Sequence, residues 1–207
     1  MSIAPWRSPL ARALHRNRAT TDSRYLQLAT VTPEGHPANR TVVFRGFYGD
    51  TDQIKIISDR RSDKVPQLQH HPWAELCWYF VKTREQFRIF GKITLIDAQG
   101  IDPKLRSERQ VTWQNISDPA RAQFGWPAPK HPLESVQSAQ EKAIADGQTP
   151  VEDHHAPIAL DPTNPPANFC LLLLEPQRVD HLELGDPHLR YLYEHTAATW
   201  HSQPVNP

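Results

Sequence analysis

The stretch from Glu85 to Ile96 constrains this chain more than any other. Phe87, Ile89, Gly91, Ile93 and Leu95 alternate with Arg88, Phe90, Lys92 and Thr94, the period-two pattern of a strand buried on one face. Three β-rich runs precede it, TVVFRGF (41–47), IKIIS (54–58) and AELCWYF (74–80), separated by short turns and one short helical segment. Upstream, Tyr25–Val31 sets Leu26, Leu28 and Thr30 against Gln27, Ala29 and Val31. The turn residues Pro33 to Pro37 then fold it into a hairpin with the Asn39–Phe47 run. Trp73–Val81 is nearly continuously apolar and reads as a central strand. Five antiparallel strands on short turns predict a barrel or strongly curled sheet, mainly β with peripheral helices, in the α+β class.

The flanks are helical or irregular. Ser8–Arg18 places Leu10, Ala13 and Leu14 on one side of a short amphipathic helix. Ser62 is placed to cap a helix over DKVPQLQ, which His70-His71-Pro72 ends. Beyond Gln99, residues 103–116, 119–124 and 133–145 read as helices, and Gly125–Pro129 as a rigid turn. The Pro-, Asp- and His-rich segment 146–167 reads as a loop. Strands follow at Phe169–Leu174 and Arg178–Leu184, with a short strand pair in the tail. A single domain over 1–207 is expected: core barrel 25–97, helical insertion 103–146, loop 146–167 and closing strands 168–207.

Composition narrows the function classes. Formal net charge is zero over 207 residues, which argues against a general nucleic-acid binder. No run approaches the roughly 18 apolar residues of a membrane span. The N-terminus spreads arginines through MSIAPWRSPLARALHRNR and lacks the apolar core of a secretory signal. Cys77 and Cys170 sit inside apolar runs and read as buried free thiols of a reducing compartment. A cytoplasmic protein acting on small molecules is the expectation.

Cations and hydroxyls recur at the strand ends: Arg40, Arg45, Ser58, Ser62, Lys64 and Arg88. Arg40 and Arg45 are an odd number of positions apart, so a regular strand sends them to opposite faces. Alone, such a pair reads as solvated surface. Beside Ser58-Asp59-Arg60-Arg61-Ser62-Asp63-Lys64 it equally suits the phosphate of a small ligand. Gln86 either faces water or offers a donor and an acceptor to a heteroaromatic edge. Trp73, Trp78, Tyr79, Phe80, Trp113 and Trp126 read mostly as core or interface residues, with any one a minority candidate for stacking on a ring. His70-His71 and His154-His155 lack metal-ligand spacing, so no metal is expected. Neither a GxGxxG nor a GxxxxGK[ST] loop occurs.

RTVVFR (40–45), SDRRSDK (58–64), the glutamine of REQFRIFG (84–91) and its final Gly91 occur in the order of a known family. The chain resembles the pyridoxamine 5′-phosphate oxidase-like FMN flavoproteins, split β-barrels that assemble as homodimers. The likeness is good over 25–97 and weaker in DHLELGDPHLRYLYE (180–194). It implies that Arg40 and the Thr41-Val42-Val43 backbone line the FMN phosphate and flavin edge. Arg45 replaces the family's usual lysine. Ser58 stands where a threonine meets the cofactor, Ser62 lies beside it, and Lys64 matches the phosphate-binding lysine. Gln86 would reach the flavin from across the dimer, and Arg190 would approach its ring. His188 and Arg190 are the catalytic candidates.

Two positions depart from the pattern. Asp63 stands where the oxidase has a second phosphate-binding arginine, and Asp186 replaces the first arginine of its R-L-H-D-R substrate motif. The resemblance therefore implies FMN more strongly than pyridoxamine phosphate. It points to an FMN-dependent oxidoreductase; the alternatives are a true pyridoxamine 5′-phosphate oxidase and a non-catalytic FMN-, haem- or tetrapyrrole-binding barrel. The implied partners are a second copy of the chain and a small-molecule substrate, with neither nucleic acid nor membrane.

Overall fold

The structure, a computed structural model, describes residues 3–130, Ala145 and 160–207. Helix α1 (Arg7–Asn17) leads into strands β1 (Tyr25–Val31), β2 (Pro37–Val43) and β3 (Ile54–Asp59). Then come α2 (Lys64–His70), β4 (Trp73–Phe80), β5 (Glu85–Ile96), α3 (Pro103–Gln114) and α4 (Asp118–Ala122). Strands β6 (Phe169–Glu183), β7 (Leu189–Thr196) and β8 (Thr199–Val205) close the chain. All pairings are antiparallel, in the order β2-β1-β4-β5-β6-β7-β8, and β3 joins through β6.

Strand β6 splits the sheet. Its first half (Phe169–Leu174) lies between β5 and β3, and its second half (Arg178–Glu183) between β5 and β7. The two closing runs expected from the sequence are therefore one strand. They stay continuous across Pro176 because β5 shifts register between Phe90 and Gly91, leaving Gln177 without a partner there. A Cβ on Gly91 would lie 2.1 Å from the Glu175 carbonyl oxygen, so the close backbone approach at this bulge requires glycine.

The core gathers Leu26, Leu28, Ile54, Ile56, Leu76, Trp78, Phe87, Ile89, Leu172 and Leu174, with Trp6 just before α1 and Leu10 and Ala13 of α1 packed onto it. The Trp78 indole donates to the Ser23 carbonyl at 2.9 Å, satisfying its one polar atom. Strand β4 is buried on one side only: Ala74, Leu76, Trp78 and Phe80 point inward, while Trp73 and Tyr79 are exposed. A continuous apolar run here marks an apolar outer face rather than burial on both sides.

A smaller cluster of Trp113, Ile116, Phe124 and Phe169 fixes α3 and the segment after α4 against β6. Helix α3 starts cleanly: Asp102 accepts from the Lys104 and Leu105 amides at 2.8 and 3.2 Å, and Pro103 opens its first turn. The expected helix over 133–145 and most of the 146–167 loop lie outside the described residues. No described helix is long and apolar enough to cross a membrane.

Candidate functional site

A cleft of about 460 Å³ opens where β2, the end of β3 and the segment after α4 converge. Thr41, Val43 and Arg45 line it at alternate positions, and Val42 contributes as well. Arg40 belongs to the opposite parity and is not among the lining residues. Its guanidinium instead donates to Gln67 Oε1 at 2.8 Å, to the Leu28 carbonyl at 3.2 Å and to Thr30 Oγ1. Arg45 lies beyond the end of β2, where its amide donates to the Lys55 carbonyl at 2.9 Å. Burial, and secondarily the charge of Arg24, pull its pKa down. Its Nε is buried without a hydrogen-bond partner among the described residues.

The floor is cationic. Lys64 Nζ donates to Ser58 Oγ at 3.1 Å and Ser62 Oγ at 3.0 Å, and the two hydroxyls are 3.2 Å apart. Burial lowers the Lys64 pKa, and Arg40 lowers it further. The nearby carboxylates are engaged elsewhere: Asp59 by Arg61 and Asn168, Asp63 by Lys130. Ser62 is not the helix cap expected from the sequence. Asp63 occupies the N-cap position in a helical conformation, without a side-chain cap bond. The Ser62 hydroxyl donates to the Asp59 carbonyl at 2.7 Å, which leaves it facing Lys64.

The opposite wall is apolar, built from Ala120, Phe124, Trp126, Pro127 and Pro129. From the sequence this segment is a rigid turn, and Trp126 one of several aromatics that could stack on a ring. A tryptophan between glycine and proline, too constrained to fold back into the core, was the available signal.

Gln86, His188 and Arg190 do not reach this cleft. Tyr79, Gln86, Leu182 and Arg190 form one cross-strand row over β4, β5, β6 and β7, putting Gln86 and Arg190 about 10 Å apart on the outer face. Arg190 lines a smaller pocket of about 270 Å³ with Glu75, Arg88, Arg178, Asp180 and Glu194. His188 is exposed just before β7.

Of the two histidine pairs, His154-His155 lies outside the described residues, and His70-His71 is exposed at the end of α2. Among the described residues, the ligand-like grouping is Glu85, His181 and Glu183, with candidate atoms within 4.8 Å of one another. Neither pair announced it. His181 Nε2 lies 3.0 Å from Glu85 Oε2, and the ring stacks on Phe87. Its Nδ1 is buried without a partner. A metal on Nε2 would force a proton onto that Nδ1 with no acceptor, a costly arrangement. The donor set does not suit a metal.

Among the described residues, a guanidinium nitrogen without a hydrogen-bond partner, an ammonium bonded only to hydroxyls and a facing apolar wall fit a phosphate ester with a flat apolar body. Comparison with known proteins agrees. The family described as "Pyridoxamine 5′-phosphate oxidase, FMN-binding domain" matches residues 3–97. Pyridoxine/pyridoxamine 5′-phosphate oxidase 2 of Arabidopsis thaliana is 39% identical, with 99% of this chain and 98% of that protein aligned. The crystal structure of a pyridoxamine 5′-phosphate oxidase-related, FMN-binding protein from Nostoc punctiforme superposes with a TM-score of 0.86 at 50% identity, covering 100% of both chains. PhzG of Burkholderia lata, at 22% identity and a TM-score of 0.71 over 98% of this chain and 90% of its own, shares the fold. This chain belongs to the pyridoxamine 5′-phosphate oxidase family of FMN-binding split-barrel proteins.

Proposed function

We propose that this protein is an FMN-dependent oxidoreductase that works as a cytoplasmic homodimer on a small molecule. The observation that carries the reading is the half-buried Lys64 ammonium, whose hydrogen bonds among the described residues go only to the Ser58 and Ser62 hydroxyls. A phosphate dianion supplies the missing counter-charge. Arg45 Nε offers a further donor, and Arg40 adds positive charge from across β2. Thr41, Val42 and Val43 provide strand backbone for the polar edge of the flavin.

When bound, FMN supplies a ring that accepts or gives up a hydride; the chain supplies position and charge. Gln86, Arg190 and His188 complete the site from the second copy. Their separation from the cleft supports this, as do the exposed Tyr25, Trp73 and Tyr79 on the same sheet. The free thiols of Cys77 and Cys170 accord with a reducing cytoplasm.

Asp186 disfavours a substrate that carries its own phosphate. Pyridoxamine 5′-phosphate is accordingly a substrate to test, suggested by the name of the Arabidopsis relative. The experiment is reconstitution of apo-protein with FMN and measurement of stoichiometry. Oxygen consumption with pyridoxamine 5′-phosphate and pyridoxine 5′-phosphate follows. One FMN per chain, lost in the Arg40→Ala/Lys64→Ala double variant, is the expected result. Saturating FMN with no binding refutes the reading.

A further inference from the structure

The segment after α4 does not pack as an ordinary surface turn. Phe124 is buried in the small cluster with Trp113 and Phe169, whereas Trp126, two residues on, is 46% exposed and lines the cleft. Its backbone is fastened from the cleft floor. Arg61 Nη2 donates to the Trp126 carbonyl at 3.1 Å and to Asp59 Oδ2 at 2.7 Å. Asn168 Nδ2 donates to the Phe124 carbonyl at 2.9 Å and to Asp59 Oδ2 at 3.0 Å. One carboxylate on β3 thus anchors both donors that hold the wall. Lys130, at the far end of the segment, pairs with Asp63 next to Lys64.

We propose that Trp126 is the ring-facing residue of the cleft, and that Asp59, Arg61 and Asn168 are positioning residues that hold it there. This rests on the FMN reading. The cleft then divides its labour: the Lys64 floor recognises the phosphate, and the latched wall selects a flat heteroaromatic body. A buried tryptophan would serve the core. An indole left half open at a cleft, on a backbone tied at two carbonyls, serves a ligand. The ion pair of Asp63 with Lys130 also gives a use to the aspartate that departs from the family pattern: it fastens the wall.

The test separates ring from phosphate. Apo-protein is titrated with FMN and with riboflavin, which has the same ring and no phosphate, while flavin fluorescence is followed. Trp126→Ala is expected to weaken both ligands equally, by about tenfold. Trp126→Phe keeps affinity within about threefold while relieving the quenching that an indole imposes on a flavin. Arg61→Ala is expected to relieve quenching partially, with the FMN-to-riboflavin affinity ratio unchanged. A general loss of stability would not produce that signature. If Trp126→Phe and Trp126→Ala leave both the riboflavin affinity and the fluorescence of bound FMN untouched, the wall proposal is overturned and the cofactor reading stands. If the wild-type chain binds neither flavin, both are overturned.

Discussion

Arg190 meets Asp180 through two parallel hydrogen bonds, Nε to Oδ1 at 2.9 Å and Nη2 to Oδ2 at 2.6 Å. Arg88 approaches the same carboxylate at 3.8 Å. The fork holds a guanidinium on the outer sheet face in the row of Gln86, while Arg88 pairs more closely with Glu75, at 2.8 Å. Arg190→Ala is expected to slow anaerobic reduction of bound FMN by about tenfold to a hundredfold, with FMN affinity nearly unchanged. Asp180→Asn, which removes the fork's charge and keeps the cation, should fall between. Stopped-flow flavin bleaching measures this, and a wild-type rate in Arg190→Ala removes that residue from the chemistry.

Gly91 makes a prediction about stability alone. An added Cβ would meet the Glu175 carbonyl oxygen at 2.1 Å and its carbon at 2.8 Å, both backbone atoms that no rotamer change can move. Gly91→Ala should therefore cost at least about 2 kcal/mol by urea unfolding. Gly35→Ala is the control: it has open space and only a positive φ of 87° to resist it, so its cost should stay near 1 kcal/mol. Equal costs for the two would mean that the bulge adapts.

Local pattern carried much of this fold. Leu26, Leu28 and Thr30 are buried as their alternation indicates, and Asp102 before Pro103 caps a helix in that region. What local pattern could not carry was anything set by a partner strand. Phe169–Leu174 and Arg178–Leu184 read as two strands because Pro176 interrupts them; the bulge at Gln177 that joins them is defined only by the pairing of β6 with β5. At the site, the parity of β2 separated Arg40 from Arg45, as their spacing requires. The Ser58, Ser62 and Lys64 floor is local and its cluster is visible in the sequence, whereas the Trp126 wall meets it from a distant chain segment, beyond any period in the sequence.

His181 supplies a negative prediction. Its Nε2–H donates to Glu85, and Glu183 Oε1 lies 3.7 Å from the same nitrogen. Binding zinc would require displacing that proton and burying a new one on Nδ1. One equivalent of Zn²⁺ should leave the thermal midpoint of the apo-protein within about 1 °C, since a ligand moves stability only through affinity for the folded chain. An upward shift that disappears in Glu85→Gln would establish a metal site here.

Lys64 links the site to stability. Its pKa lies below the ordinary 10.5 because burial, and then Arg40, penalise the charged form. The folded chain therefore releases this proton more readily than the unfolded one. Between the lowered pKa and 10.5 the unfolded state holds more protons, so the stability of the apo-protein climbs with pH across that window; below it the penalty is present in full. Lys64→Met removes the half-buried charge and leaves Ser58 and Ser62 still bonded to each other and to the Asp59 carbonyl. At pH 7 the apo variant should melt roughly 2–4 °C above wild type, about 1 kcal/mol for a chain of this size. The gain should vanish as pH approaches 10.5. Saturating FMN should reverse the order, because a phosphate dianion turns the same ammonium from a cost into a contact worth about 1.5–3 kcal/mol. Calorimetry of both proteins, with and without FMN, at pH 7 and pH 10 reads all of these effects. An apo variant less stable than wild type at pH 7 means that the two serine hydroxyls already satisfy Lys64, and the cleft floor is then a structural cluster rather than an anion site.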